Sequence, residues 1–234
     1  MNKELFIEEC KKISINITEE MLEKLDSYRE LLCESNKVMN LTNITEESEV
    51  YLKHYYDSLC LIKAIDLNSN LTLCDVGTGA GFPGIVLKIV FPNLNITLLE
   101  PITKKCNFLN EVIKKLELKN IEVINDRAEI YGKNSREKFD IVTSRAVSKL
   151  GILSELSIPM VKAGGYFIPL KGNIIEEKEK SKEIIQKLDS KIEEIIEYTL
   201  PLENSNRTLI KIKKLKKTND IYPRNYNIIK KENE

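Results

Sequence analysis

The sequence predicts an α/β fold: a mostly parallel sheet finished by an antiparallel hairpin and preceded by a helical segment. Three observations carry that prediction. The apolar run Leu71-Thr-Leu-Cys-Asp-Val76 leads into glycines at 77, 79, 81 and 84, a strand–loop–helix passage in which glycine lets the backbone turn sharply and lets a ligand lie against it. From residue 71 to 188, short strand-like runs alternate with segments of helical spacing, the pattern of crossover units in a parallel sheet. The alternation then breaks. Runs 192–198 and 208–215 are both strand-like and are separated by a turn holding Pro201, Asn204 and Asn206, so they pair antiparallel.

Helical spacing covers 3–13 and 18–36, with Thr18 as N-cap ahead of Met21, Leu22, Leu25, Tyr28 and Leu32. A third helix is expected over 46–64, capped by Thr45. No strand pattern precedes residue 71, so residues 1–66 read as an N-terminal helical subdomain and 67–234 as the α/β domain with a basic C-terminal segment. Strands are expected at 71–76, 96–99, 121–124, 139–143 and 166–170, and helices at 84–91, 103–118, 148–160 and 174–188. Pro83 suits the first helical position, where a missing N–H is no loss.

With 42% hydrophobic and 31% charged residues, the composition is that of an ordinary soluble globular chain. The first 20 residues carry Lys3, Glu4, Glu8, Glu9, Lys11 and Lys12, which fits no signal peptide, and no apolar run approaches the roughly 18 residues of a membrane span. Cysteines 10, 33, 60, 74 and 106 are scattered without a C-x-x-C, so a reduced cytoplasmic protein without bound metal is expected. Charge is uneven. Residues 1–70 hold 8 Lys/Arg against 14 Asp/Glu, whereas residues 207–231 hold 9 Lys/Arg against Asp220 alone. The second stretch suits either a polyanionic partner or a lysine-protected edge strand.

The glycine loop contains Gly79-Ala-Gly81-Phe-Pro-Gly84, by itself a weak dinucleotide signal. Asp75 stands before the first glycine, where the cationic amino group of a ligand could use it. Glu100 ends the second strand, 23 residues after Gly77, where a carboxylate accepts from ribose hydroxyls. A dinucleotide enzyme wants the same acid. The terminal hairpin discriminates, because it suits the seven-stranded sheet of methyltransferases better than a plain dinucleotide fold. The competing reading is that the glycines only pack helix against sheet.

The stretch Asp75-Val-Gly-Thr-Gly-Ala-Gly-Phe-Pro-Gly-Ile85 resembles the signature of the bacterial small-subunit rRNA guanine-N7 methyltransferase family, formerly glucose-inhibited division protein B. Asn40-Leu-Thr42, His54-Tyr-Tyr-Asp57-Ser58-Leu59, Leu98-Leu-Glu-Pro-Ile-Thr-Lys104-Lys105, Arg127-Ala128-Glu129, Ser144-Arg145-Ala146-Val147, Leu170-Lys171-Gly172 and Tyr222-Pro223-Arg224 follow in the family's order. The resemblance covers nearly the whole chain. It implies a class I, Rossmann-like methyltransferase fold, S-adenosylmethionine as cofactor, and a guanine in the 530-loop of 16S rRNA as target. The partner it implies is the 30S subunit or its precursor, with no membrane and no obligate protein partner. By the same resemblance Asp75, Gly77, Gly79, Phe82, Glu100, Ala128, Glu129 and Arg145 contact the cofactor, with Gly77 and its neighbours along methionine and ribose and Ala128–Glu129 beside adenine. Family members often carry Asp where this chain has Glu100.

Methyl transfer from a sulfonium asks the protein for alignment and electrostatics, and guanine N7 has a lone pair and no proton, so no general base is needed. The chain lacks the Asn/Asp-Pro-Pro-aromatic tetrapeptide of amino-group methyltransferases, and no cysteine follows a proline. Arg145, at the carboxyl end of the fourth expected strand, is the catalytic candidate: it could reach guanine O6 or a phosphate, or align the cofactor. His54, the only histidine, is expected to be a satisfied structural group rather than a catalyst or RNA contact. Lys104 and Lys105 oppose the helix dipole at the start of a helix, consistent with an anion contact or with solvated lysines. The basic C-terminal segment, with Tyr222 and Tyr226, could hold RNA phosphates and stack on an unpaired base. Three rivals remain: a methyltransferase for another RNA, a protein or a small molecule; an NAD(P)-dependent oxidoreductase; and a non-catalytic RNA-binding protein with a vestigial cofactor loop, against which the intact Asp75, Gly77, Gly79, Gly81 and Glu100 argue.

Overall fold

The computed structural model describes residues 1–145, 148–172 and 175–233. Helix α1 (Lys3–Lys12) is capped by Asn2, whose side chain accepts from the Leu5 N–H, and α2 (Glu19–Met39) by Thr18, as expected. The third helical run departs from the expectation. It is divided into α3 (Glu47–Glu49), a π-helix over Val50–Tyr56, α4 (Asp57–Leu59) and a 3-10 turn over Cys60–Lys63. Its N-cap is Glu46, without a side-chain hydrogen bond, rather than Thr45.

The α/β part runs β1 (Thr72–Val76), α5 (Gly84–Val90), β2 (Asn95–Leu99), α6 (Thr103–Lys115), β3 (Ile121–Ile124), α7 (Ala128–Asn134), β4 (Phe139–Arg145), α8 (Leu150–Ser157), a 3-10 turn, β5 (Val161–Lys171), α9 (Ile175–Lys187), β6 (Ser190–Thr199), β7 (Asn206–Lys214) and α10 (Tyr226–Asn233). Helices α7 and α10 were not expected; both are short, and Gly132 and a charged, Asn-rich C-terminus blur their spacing. Pro83 sits at the N-cap of α5, one residue earlier than expected, and follows a cis peptide bond.

The seven strands are ordered β3-β2-β1-β4-β5-β7-β6. The first five pair parallel, and β7 runs antiparallel to both β5 and β6, so the terminal hairpin forms as expected. Alternation along each strand splits the core into two layers. Leu73, Leu98, Ile141, Ile168 and Leu209 face a layer shared with α5, α6 and the N-terminal helices, including Phe6, Tyr28, Tyr51 and Tyr55. Cys74, Val76, Val142, Phe167 and Ile212 face the layer under α8 and α9. Residues 1–66 therefore pack into the same core as one sheet face. Among the described residues, no helix is long and apolar enough to cross a membrane, and no His/Cys/Asp/Glu group could hold a metal ion.

The basic C-terminal segment turns one cation inward and pairs others with acidic side chains. Lys214 is buried and donates to the carbonyls of Val161, Ile158 and Pro159, with Glu137 at 3.4 Å. Lys211 and Lys213 pair with Glu193, Lys216 with Asp189, and Arg224 with the fully buried Glu155. Tyr222 is buried as well. The expectation of a phosphate-holding, base-stacking segment is thus corrected for Lys214 and Tyr222: the first closes helix-end carbonyls and the second is core.

Candidate active site

Open α/β sheets place ligands at the carboxyl ends of their strands, and there β1, β2, β3 and β4 present the residues singled out above. Asp75, in β1, is fully buried. Its Oδ2 accepts from Thr78 Oγ1 (2.6 Å) and the Gly84 N–H (2.9 Å), tying the two ends of the glycine loop. Its Oδ1 is buried without a partner. Burial pushes the carboxyl up to about 6, against the hydrogen bonds of Thr78 and Gly84.

The loop's glycines divide into two kinds. Gly77, Gly79 and Gly81 all have positive φ, the left-handed region that favours glycine. A Cβ on Gly79 would meet nothing closer than the Gly77 carbonyl at 4.0 Å, so this flank of the loop is open. A Cβ on Gly81 would lie 2.5 Å from Ile85 and 2.8 Å from the Tyr28 hydroxyl, and one on Gly84 2.3 Å from Leu98. The packing reading therefore holds for Gly81 and Gly84, and Gly79 keeps room for a ligand.

Glu100, just past β2, is buried. Its Oε2 accepts from the Gly79 N–H (2.9 Å) and its Oε1 from the Ile102 N–H (3.0 Å). The carboxylate thus fixes the loop and the start of α6 at once, a role the sequence did not disclose. Each oxygen retains acceptor capacity for a further donor. Ala128 and Glu129 open α7 beyond β3, and Asn125 joins them to Glu100 by donating to its carbonyl (3.1 Å).

Arg145 ends β4, and Phe82 of the loop lies under it, with the guanidinium carbon 5.0 Å from the ring centroid. Phe82 is buried, stacked on His54 (centroids 4.2 Å apart) and tilted against Tyr28 and Tyr55. Arg145 Nη1 donates to the Lys53 carbonyl (2.8 Å), and Nη2 lies 3.0 Å from His54 Nδ1. Asp57, 4% exposed, gathers Arg145 (3.5 Å), Arg207 (3.6 Å) and the Tyr198 hydroxyl (2.8 Å). Beside these groups opens a cavity of 410 Å³, lined by Lys53, His54, Asp57, Arg145, Lys171 and Arg207 among others. Asp57, Tyr198 and Arg207 were missed as a group because 141 residues separate Asp57 from Tyr198; the only sequence signals were the short motifs around His54 and Leu170. Ala146 and Val147, named with Arg145 in the resemblance, lie outside the described residues. Lys104 and Lys105 occupy the first turn of α6, exposed and half-buried respectively.

These residues fit S-adenosylmethionine. The unpartnered Asp75 Oδ1 suits an ammonium group, the open flank of Gly79 admits a ligand against the backbone, and Glu100 keeps lone pairs for hydroxyls. A family model, rRNA small subunit methyltransferase G (GidB), matches residues 21–204. The chain belongs to that family. A small subunit methyltransferase G from Lachnoclostridium phytofermentans is 49% identical over 222 residues, 94% of this chain and 92% of its own length. Its counterpart from Oceanobacillus iheyensis is 45% identical over 235 residues, 99% of either chain. Among solved structures, a SAM dependent methyltransferase from Aquifex aeolicus superposes with a TM-score of 0.52 at 20% identity, covering 74% of this chain and 96% of that one. The fold is thus that of class I methyltransferases, and membership in the methyltransferase G family sets aside the oxidoreductase alternative.

Proposed function

We propose that this protein transfers a methyl group from S-adenosylmethionine to N7 of a guanine in the 530-loop of 16S rRNA, within the 30S subunit or its precursor. The observation that carries this reading is a contact. Phe82 belongs to the glycine loop and lies beneath Arg145, so the loop that suits the cofactor adjoins the cavity lined by Arg145. Volumes of roughly 300–1,000 Å³ are those of small-molecule and base pockets, and a loop guanine flipped from its stack suits one.

Bound S-adenosylmethionine supplies a methyl group already activated for in-line displacement. The chain's own residues supply placement. Asp75 holds the ammonium end through Oδ1, Glu100 the ribose hydroxyls, and Ala128 and Glu129 border the adenine. Arg145 presents its remaining N–H donors to O6 or a phosphate of the target nucleotide. Such a donor orients the base, and no general base is needed because N7 carries no proton to remove. His54 takes no proton either: burial first, then the neighbouring Arg145, push it down to about 3.

The test is transfer of labelled methyl into unmodified 30S subunits, followed by chain cleavage specific for N7-methylguanine. One cleavage in the 530-loop is the expected result. Label in another RNA, in protein or in a small molecule would replace this substrate by that one.

A further inference from the structure

Arg145 is held by one short segment of the N-terminal helices. Its Nη1 donates to the Lys53 carbonyl, and its Nη2 meets His54 Nδ1 at 3.0 Å. A guanidinium only donates, so Nδ1 is the bare nitrogen of the ring. The proton of the neutral imidazole is then on Nε2, which donates to Thr42 Oγ1 at 2.9 Å. Thr42 is fixed in turn. Its N–H donates to Asn36 Oδ1, its carbonyl accepts from Asn36 Nδ2, and its Oγ1 also accepts from the Ile44 N–H. The opposite side of the ring is closed by Phe82.

The charged groups acting on the imidazole are Arg145 from β4 and, on its own segment, Lys53, while Asp57, Lys171, Glu177 and Arg207 line the same cavity. A protonated ring would set an N–H against the Arg145 donors, and burial opposes the same charge. The π-helical winding of Val50–Tyr56 carries both acceptors, the Lys53 carbonyl and His54 Nδ1, toward the end of β4; such winding recurs at functional sites.

We propose that His54 is a positioning residue for methyl transfer: locked by Thr42 as the Nε2–H tautomer, it aims the Arg145 guanidinium into the cavity. The inference rests on the functional reading above, which gives Arg145 the target nucleotide.

The experiment is steady-state methyl transfer to unmodified 30S subunits, with cofactor affinity measured separately by calorimetry. His54→Ala lowers kcat/KM about 10- to 100-fold, the loss expected for a hydrogen bond to a charged group, and leaves cofactor affinity within about 3-fold. His54→Asn, whose amide oxygen can replace Nδ1 as acceptor, restores most of the rate. In an Arg145→Lys background the further cost of His54→Ala falls below about 3-fold, because the effect runs through the guanidinium. Additive losses in the double variant, an Asn variant as slow as Ala, or cofactor affinity falling with turnover would overturn the proposal in favour of a purely structural role. Wild-type protein that binds cofactor but methylates no RNA would remove the functional reading and this inference together. An active wild type with an unimpaired His54→Ala variant would remove this inference alone.

Discussion

Phe82 and His54 lie ring over ring, centroids 4.2 Å apart and planes 21° from parallel, joining the glycine loop to the N-terminal helices. Phe82 also supports Arg145 on its other contact. Phe82→Ala would remove a buried aromatic and leave a void among Tyr28, His54 and Tyr55. We expect a loss of about 3 kcal/mol of unfolding free energy. Urea denaturation measures it, and Phe82→Leu should recover more than half.

The glycines should separate in a single experiment. Gly79→Ala places a Cβ in open space but at a φ of +61°, a conformation costing about 1–2 kcal/mol for an L-residue. The fold should survive while cofactor affinity falls at least about tenfold, equivalent to 1.4 kcal/mol. Gly84→Ala drives a Cβ into Leu98 and against Asp75 and should depress the melting temperature far more. Calorimetric affinities and thermal melts of the two variants, side by side, decide the assignment; equal melts would show that packing does not distinguish them.

Asp75 gives the cofactor site a pH dependence. Its carboxyl is raised by burial to about 6 in the folded chain, above the 3.9 or so of an unfolded Asp. Folded protein therefore binds a proton more readily than unfolded protein, and Asp75 favours the fold as pH falls from about 6 toward 4. Cofactor binding goes the other way, because an ammonium needs the ionised form. Affinity should drop below about pH 6, and binding there should release protons, seen as a calorimetric enthalpy that changes with buffer ionisation heat. An enthalpy independent of buffer at that pH would remove Asp75 from the ammonium site.

Charge reversal along the basic segment should split by burial rather than by sequence. Lys214→Glu puts a carboxylate against the carbonyls of Ile158, Pro159 and Val161, and should cost about 3–5 kcal/mol, the range for breaking a buried charge's partnership. Lys216→Glu, at a side chain 75% exposed, should change stability by less than about 1 kcal/mol. Thermal or urea denaturation of the pair suffices. Comparable losses at both positions would contradict the burial of Lys214.

The mostly parallel sheet, the terminal hairpin and the loop between Asp75 and Gly84 were legible in the sequence because each rests on local pattern: alternation, a turn between two strand-like runs, glycine density. The winding of residues 50–56 was not, since a π-helix keeps the composition of an α-helix and differs only in which carbonyls it frees. Nor was the inward turn of Lys214, which has the same side chain as the exposed Lys216; only the partners across β5 tell them apart. His54 was expected to be a satisfied structural group, yet its partner 91 residues away lay beyond any spacing rule. Long-range polar contacts, short helices and local winding are what one-dimensional reading loses.

The Tyr28 hydroxyl donates to the Ala80 carbonyl at 2.5 Å, clamping the middle of the glycine loop from a helix 52 residues earlier. Fluctuations that lift α2 away must break this clamp, so local opening of the chain's first third and loosening of the loop are one event. A small molecule seated on the loop then opposes that opening by mass action. Amide hydrogen exchange in α2 should slow on cofactor binding and so report occupancy of the loop.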